Sequence, residues 1–123
     1  MEEIWQKKRW KVYAHILKKD NRAYIGITGK ENPVWRWGTH GEGYTTPINE
    51  KLHHRKFANA INKYGWDNFD HIILEENLLP EEAEKLEVEY IIKFNSIKNG
   101  FNQDSEGNAF KNIQKKQNSS FLS

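Results

Sequence analysis

Between residues 11 and 17 apolar and polar side chains alternate, with Val12, Ala14 and Ile16 on one side and Tyr13 and His15 on the other. That period of two predicts a strand. A turn over Lys19-Asp20-Asn21-Arg22 follows, then a second strand from Ala23 to Thr28. A tight turn centred on Asp20-Asn21 would pair residue 17 with 24, 15 with 26 and 13 with 28. One face of this hairpin is then hydrocarbon: Val12, Ala14, Ile16, Ala23, Ile25 and Ile27. The other gathers Tyr13, His15, Tyr24, Gly26 and Thr28.

Pro33 opens a short helix predicted to run through Val34-Trp35-Arg36-Trp37 to about His40, stopped by Gly41. Residues 41–51 have the Gly, Thr and Pro content of a loop. From Leu52 to Tyr64 the apolar positions Phe57, Ala60, Ile61 and Tyr64 recur at helical spacing, and Gly65 stands where the cap belongs. Phe69 to Glu75 reads as a third strand. Pro80, Glu81 and Glu82 begin a last helix that runs to about Phe94, its first-turn carboxylates opposing the macrodipole. Strands interleaved with helices give a small α/β (α+β) domain.

Composition narrows the class. The 123 residues suit one core, and sixteen aromatic rings argue against a disordered chain despite a mean hydropathy of −0.93. The absence of Cys excludes a disulfide framework and any thiolate zinc site. There is no apolar run of membrane-spanning length and no signal-peptide core in the opening residues, so the chain reads as soluble and intracellular. Residues 1–65 carry a net charge of +7 and residues 66–123 a net charge of −5. A basic half beside an acidic half suits a surface that meets a polyanion, although solvated charge is the commoner cause of such a bias. Three segments emerge: a basic lead-in over 1–10, a folded domain over 11–102, and an Asn/Ser/Lys-rich extension over 103–123.

Two local conflicts point to chemistry. On the last helix Glu87 falls about 40° from Ala83, inside the apolar stripe formed with Leu86, Tyr90, Ile91 and Phe94. An ionised carboxylate there costs several kcal/mol, at about that order, unless an Arg or Lys pairs with it or a metal takes it. Arg36 and His40, four apart, are expected on one face of the helix after Pro33. A guanidinium holds phosphate by two parallel bonds and an imidazole takes up a proton near neutrality; an exposed basic helix is the plain alternative. Gly26 inside a strand marks a bulge or the close approach of another backbone. His53, His54 and His71 show no ligand spacing with a matching acid and are expected on the surface or at sheet edges.

The order Tyr13, Tyr24-Ile25-Gly26, Arg36-Trp37-x-x-His40, Glu87, Asn102 resembles the GIY-YIG nuclease superfamily. The likeness spans residues 11 to about 102. Lys11-Val12-Tyr13 stands where the family usually has Gly-Ile-Tyr, so the first glycine is lost while the tyrosine remains. The stretches Ala60 to Phe69 and Phe94-Asn95-Ser96 to Asn99-Gly100-Phe101-Asn102 are similar to phage and homing members.

The resemblance implies a three-stranded antiparallel sheet flanked by helices, and an endonuclease that hydrolyses DNA phosphodiester bonds with a divalent metal, Mg²⁺ or Mn²⁺. It assigns Glu87 to the metal, Arg36 to the scissile phosphate, and Tyr13 to orienting or deprotonating the water. Tyr24 would hydrogen-bond the phosphate or the water, and His40 would serve as acceptor or proton relay. Gly26 would allow close packing beside Tyr24, and Asn102 would brace the site. Lys7, Lys8, Arg9, Lys11 and Arg55 are candidate contacts to the DNA backbone. The likeness implies a free-standing phage or homing enzyme, in the cytoplasm of a bacterial or phage-infected cell. Two other readings stand beside it: a nucleic-acid-binding module that does not cleave, and the catalytic part of a restriction, repair or defence assembly. A duplex break would need two chains or two visits, which a homodimer or larger assembly would supply.

Overall fold

The computed structural model describes residues 8–46 and 54–103. The elements among the described residues are strand β1 (Trp10–Leu17), strand β2 (Ala23–Thr28), helix α1 (Val34–Trp37), helix α2 (Glu42–Thr45), helix α3 (Arg55–Tyr64), strand β3 (Phe69–Leu78) and helix α4 (Pro80–Phe94), with a 3₁₀ turn at Trp66–Asn68. The strands form one antiparallel sheet in the order β2-β1-β3, so β2 is an edge strand. The expected α+β architecture is the one observed.

The alternation in β1 and β2 divides the core in two. Val12, Ala14, Ala23 and Ile25 face α4, where Ile91, Leu86, Tyr90 and Phe94 cover them. Tyr13, Leu17 and Tyr24 face the other way, against Trp37 of α1, Tyr44 of α2 and Phe57, Ala60 and Ile61 of α3. Helix α4 starts on Pro80, and the Glu82 carboxylate accepts the Leu79 backbone N–H at 2.8 Å. It ends on Asn95, whose left-handed backbone (φ 51°) closes the last turn.

Several expectations shift. The hairpin register pairs Tyr13 with Gly26 and His15 with Tyr24, two residues from the expected register. Leu17 and Arg22 close a four-residue turn, with the Leu17 N–H donating to the Arg22 carbonyl at 2.8 Å and Asn21 at positive φ. A slip of two leaves every side chain on its expected face. Helix α1 stops at Trp37 because Gly38 adopts φ 79°, a left-handed conformation that ends the turn. The stretch read as loop contains α2, and β3 continues three residues past Glu75. Helix α3 is described from Arg55; residues 52 and 53 of the expected helix lie outside the described residues.

Candidate active site

Cross-strand pairing lines up Tyr24, His15 and His71 across the whole sheet on the face covered by α1, α2 and α3. Tyr13 lies in the neighbouring row opposite Gly26, and a Cβ at that glycine would come within 2.5 Å of the Tyr13 hydroxyl oxygen. The glycine therefore makes room for the Tyr13 ring across the strand, where close packing beside Tyr24 was expected. Tyr13 and Tyr24 are almost wholly buried.

Arg36 joins this face through two hydrogen bonds. Its guanidinium donates to the Gly43 carbonyl at 3.1 Å and to His54 Nε2 at 3.2 Å, and its Cζ lies 4.5 Å from the centre of the Tyr44 ring. A guanidinium only donates, so His54 Nε2 is the accepting nitrogen and the neutral ring carries its proton on Nδ1. That proton is donated to the Tyr24 hydroxyl oxygen at 3.0 Å. Arg36 and Tyr24 are thus tied together through His54 at the start of α3.

Tyr13 is held from the other side. The Tyr44 hydroxyl donates to the Tyr13 hydroxyl oxygen at 2.9 Å and lies 3.0 Å from His15 Nε2. His15 Nδ1 in turn lies 2.8 Å from His71 Nδ1. Burial, reinforced by His71 and Arg36, holds the His15 pKa well below its ordinary value, so the ring is neutral at neutral pH. Burial also pushes the Tyr44 phenol well up, and the neighbouring Tyr13 and Tyr24 phenols add to it.

Glu87 lies on α4, the helix covering the opposite face of the sheet from Arg36. Its side chain is largely buried, and burial first, then the Glu84 charge, raises its pKa from 4.5 to about 7. Both influences oppose ionisation, and neither supplies the cation that a buried carboxylate wants. A single hard oxygen ligand suits Mg²⁺ or Mn²⁺, which keep most of their waters, so the residue fits such an ion. Among the described residues no three His, Asp or Glu side chains gather as a ready-made cation cage.

Asn102 braces β2. Its side-chain oxygen accepts the Ile25 N–H at 2.8 Å and its amide donates to the Ile25 carbonyl at 3.0 Å. One side chain thus satisfies both outward backbone groups of the residue between Tyr24 and Gly26, on the outer side of β2 where the Phe101 N–H also donates to the Ala23 carbonyl. His40 is not brought to Arg36. With α1 ended at Gly38 the four-residue spacing is no longer one helical turn, and the exposed imidazole turns to Thr39 and Glu42. Lys8, Arg9 and Arg55 are exposed, Lys11 is half-buried with its ammonium on the Arg9 and Lys30 carbonyls, and Lys7 lies outside the described residues.

The position beside Arg36 that sequence reasoning gave to His40 belongs to His54, and His71 is half-buried, stacked on Trp66 at 4.0 Å. His54 follows Arg36 by eighteen residues across a segment without periodicity, so no spacing rule links them. For His15 a signal existed: alternation already placed it among the phenols.

The family model of the GIY-YIG catalytic domain matches residues 9–102, three-quarters of the chain and all of the described fold. The chain belongs to the GIY-YIG family. Membership carries nuclease activity in general, and nucleic acid is the substrate of such a domain. No curated protein and no solved structure matches this GIY-YIG chain. No helix among its described residues is long and apolar enough to cross a membrane.

Proposed function

We propose that this GIY-YIG domain is a divalent-metal-dependent DNA endonuclease of the free-standing phage or homing type. The observation that carries the reading is the convergence of Tyr13, Tyr24 and Arg36 on one sheet face, tied by Tyr44 and His54, in a chain the family model matches.

Hydrolysis requires a water to lose a proton as its oxygen attacks phosphorus, and charge to be stabilised on the phosphoryl oxygens as the bond to the leaving oxygen breaks. In this reading Arg36 holds the scissile phosphate, its guanidinium already oriented by Gly43, His54 and the Tyr44 ring. Tyr13 orients the water and, as its phenolate, accepts the water's proton on its oxygen. Tyr24, its oxygen fixed by His54, donates to the phosphate or the water. His40 acts from the solvent side as a proton acceptor. Because β2 is an edge strand with Asn102 securing its outer side, a phosphate at that edge could be met from the Arg36 layer and from α4. Glu87 would hold Mg²⁺ or Mn²⁺, and the ion when bound would act as a Lewis acid on the phosphate. Lys8, Arg9, Lys11 and Arg55, with Lys7, would add sequence-independent contacts to the DNA backbone.

Supercoiled plasmid tests this. The parent should nick or linearise it with Mg²⁺ or Mn²⁺ and lose activity in EDTA, while folded Arg36→Ala and Glu87→Ala leave it intact. Salt-dependent plasmid binding without cutting would replace the reading with that of a binding module; Glu87→Ala cutting like the parent would remove the metal assignment.

A further inference from the structure

Three buried or half-buried groups on the phenol face have no proton-handling role in the mechanism above, and they are hydrogen-bonded in a line: His71, His15 and Tyr44. We infer that they form a donor chain ending on the Tyr13 oxygen, in which Tyr44 positions Tyr13 as the proton acceptor of the nuclease reaction. This inference deepens the proposed role of Tyr13 and rests on it.

The polarity of the chain follows from proton counting. Tyr44 has one hydroxyl proton and gives it to Tyr13 at 2.9 Å, so towards His15 it can only accept. His15 Nε2 therefore carries a proton. A neutral imidazole has one, which leaves His15 Nδ1 bare to accept from His71 Nδ1–H at 2.8 Å, with the Trp66 carbonyl competing for the His71 proton. Each donor points towards Tyr13. Consecutive hydrogen bonds of one polarity strengthen one another where water is excluded, and Trp37, Phe57 and Trp66 pack against His15 with ring centres within 5.3 Å. Burial pushes the Tyr44 phenol well up, so Tyr44 keeps its proton. A Tyr13 phenolate gains more from the Tyr44 hydrogen bond than a Tyr13 phenol does.

A purely structural filling of this space would not call for histidine. His15 buries a titratable ring between two partners, at a place where a hydrocarbon ring would pack without needing either. Other titratable and charged groups face the chain. Arg36 of α1 acts on Tyr44 and His15, and Tyr24 of β2 on Tyr44. Lys18, Asp67 and Asp70 act on His71 at the outer end.

The test is a phenol titration read by NMR, with an isotope label at the tyrosine Cζ and each resonance assigned by its loss in a Phe variant. In Tyr44→Phe, which keeps the ring and removes the donor, the Tyr13 midpoint should rise by about one pH unit, the effect of one hydrogen bond to a charged group. In His71→Phe it should rise less, in the same direction. The pH–rate profile of plasmid nicking should move to higher pH with it, lowering the rate about tenfold below the midpoint. An unchanged Tyr13 midpoint in a folded Tyr44→Phe protein overturns the inference. If that variant does not fold, an unchanged midpoint in His71→Phe does so. Should the parent cut no DNA, the nuclease reading fails, while the titration still decides the donor chain.

Discussion

Replacing Glu87 by Gln in metal-free buffer tests whether this carboxyl is kept at a cost to the fold. The perturbation removes a charge and keeps the shape of the protonated acid. Burial and Glu84 raise the folded-state pKa from 4.5 to about 7. Because the folded pKa is the higher one, Glu87 favours folding fully only below about pH 4.5. That contribution declines as pH rises towards 7 and is gone above it. The displacement corresponds to about 3.5 kcal/mol as an upper bound, at about 1.4 kcal/mol per pH unit. Urea denaturation at pH 5 and pH 8, with EDTA present, reads the effect. The parent should lose stability between the two pH values relative to Glu87→Gln, which should be the more stable protein at pH 8 by about 1–3 kcal/mol. Adding Mg²⁺ at pH 8 should stabilise the parent and leave the variant unmoved, since an ion that binds the folded state stabilises it. Equal stability of the two proteins at pH 8, with parallel pH dependence, would refute the argument that the carboxyl is desolvated without a compensating cation.

Three further substitutions have expected outcomes. Gly26→Ala places a methyl within 2.5–2.8 Å of the Tyr13 ring atoms, which Trp37, His15 and Tyr44 hold in place, so it should cost about 1–3 kcal/mol in a thermal melt and reduce nicking as well. Arg36→Lys keeps a positive charge but cannot span Gly43 and His54 together; nicking should fall at least about tenfold in a plasmid assay, with stability nearly unchanged. Asn102→Leu leaves the Ile25 N–H and carbonyl at the sheet edge without their partners, costing about 2–4 kcal/mol by urea denaturation.

Much of this fold was legible because its signals are local. Strict alternation in β1 and β2 assigned each side chain to its face, and the assignment survived a register slip, since a shift of two residues preserves sidedness. Helix α4 announced itself through Pro80 and its acidic first turn, and the conflict at Glu87 was visible as a polar residue in an apolar stripe. What remained hidden depends on the chain folding back. His54 meets Arg36 and Tyr24 only after the intervening segment has returned α3 to the sheet, and Tyr44 reaches Tyr13 from a helix of four residues too short to show any periodicity. The expectation that His40 shares a helix face with Arg36 failed for an opposite reason: a local rule was applied across a helix that Gly38 had already ended.

The two faces of the sheet divide the work of folding unequally, and that division explains where the conflicts lie. The face towards α4 is aliphatic on the strand side, with Val12, Ala14, Ala23 and Ile25 fully covered, so it can supply stability without polar partners. The opposite face buries two tyrosines of the strands, Tyr44 and His15, each of which must find a hydrogen bond or lose about 1–3 kcal/mol to desolvation. Those bonds exist, and their donors run towards Tyr13 on one side and Tyr24 on the other. A core built only for stability would place hydrocarbon on both faces of so small a sheet. The cost of polar burial is concentrated instead around the two phenols, where a phosphodiesterase needs oriented oxygens and little mobility. Glu87 belongs to the stable layer by position, and the pH dependence of stability should carry its signature even in a protein that has never met DNA.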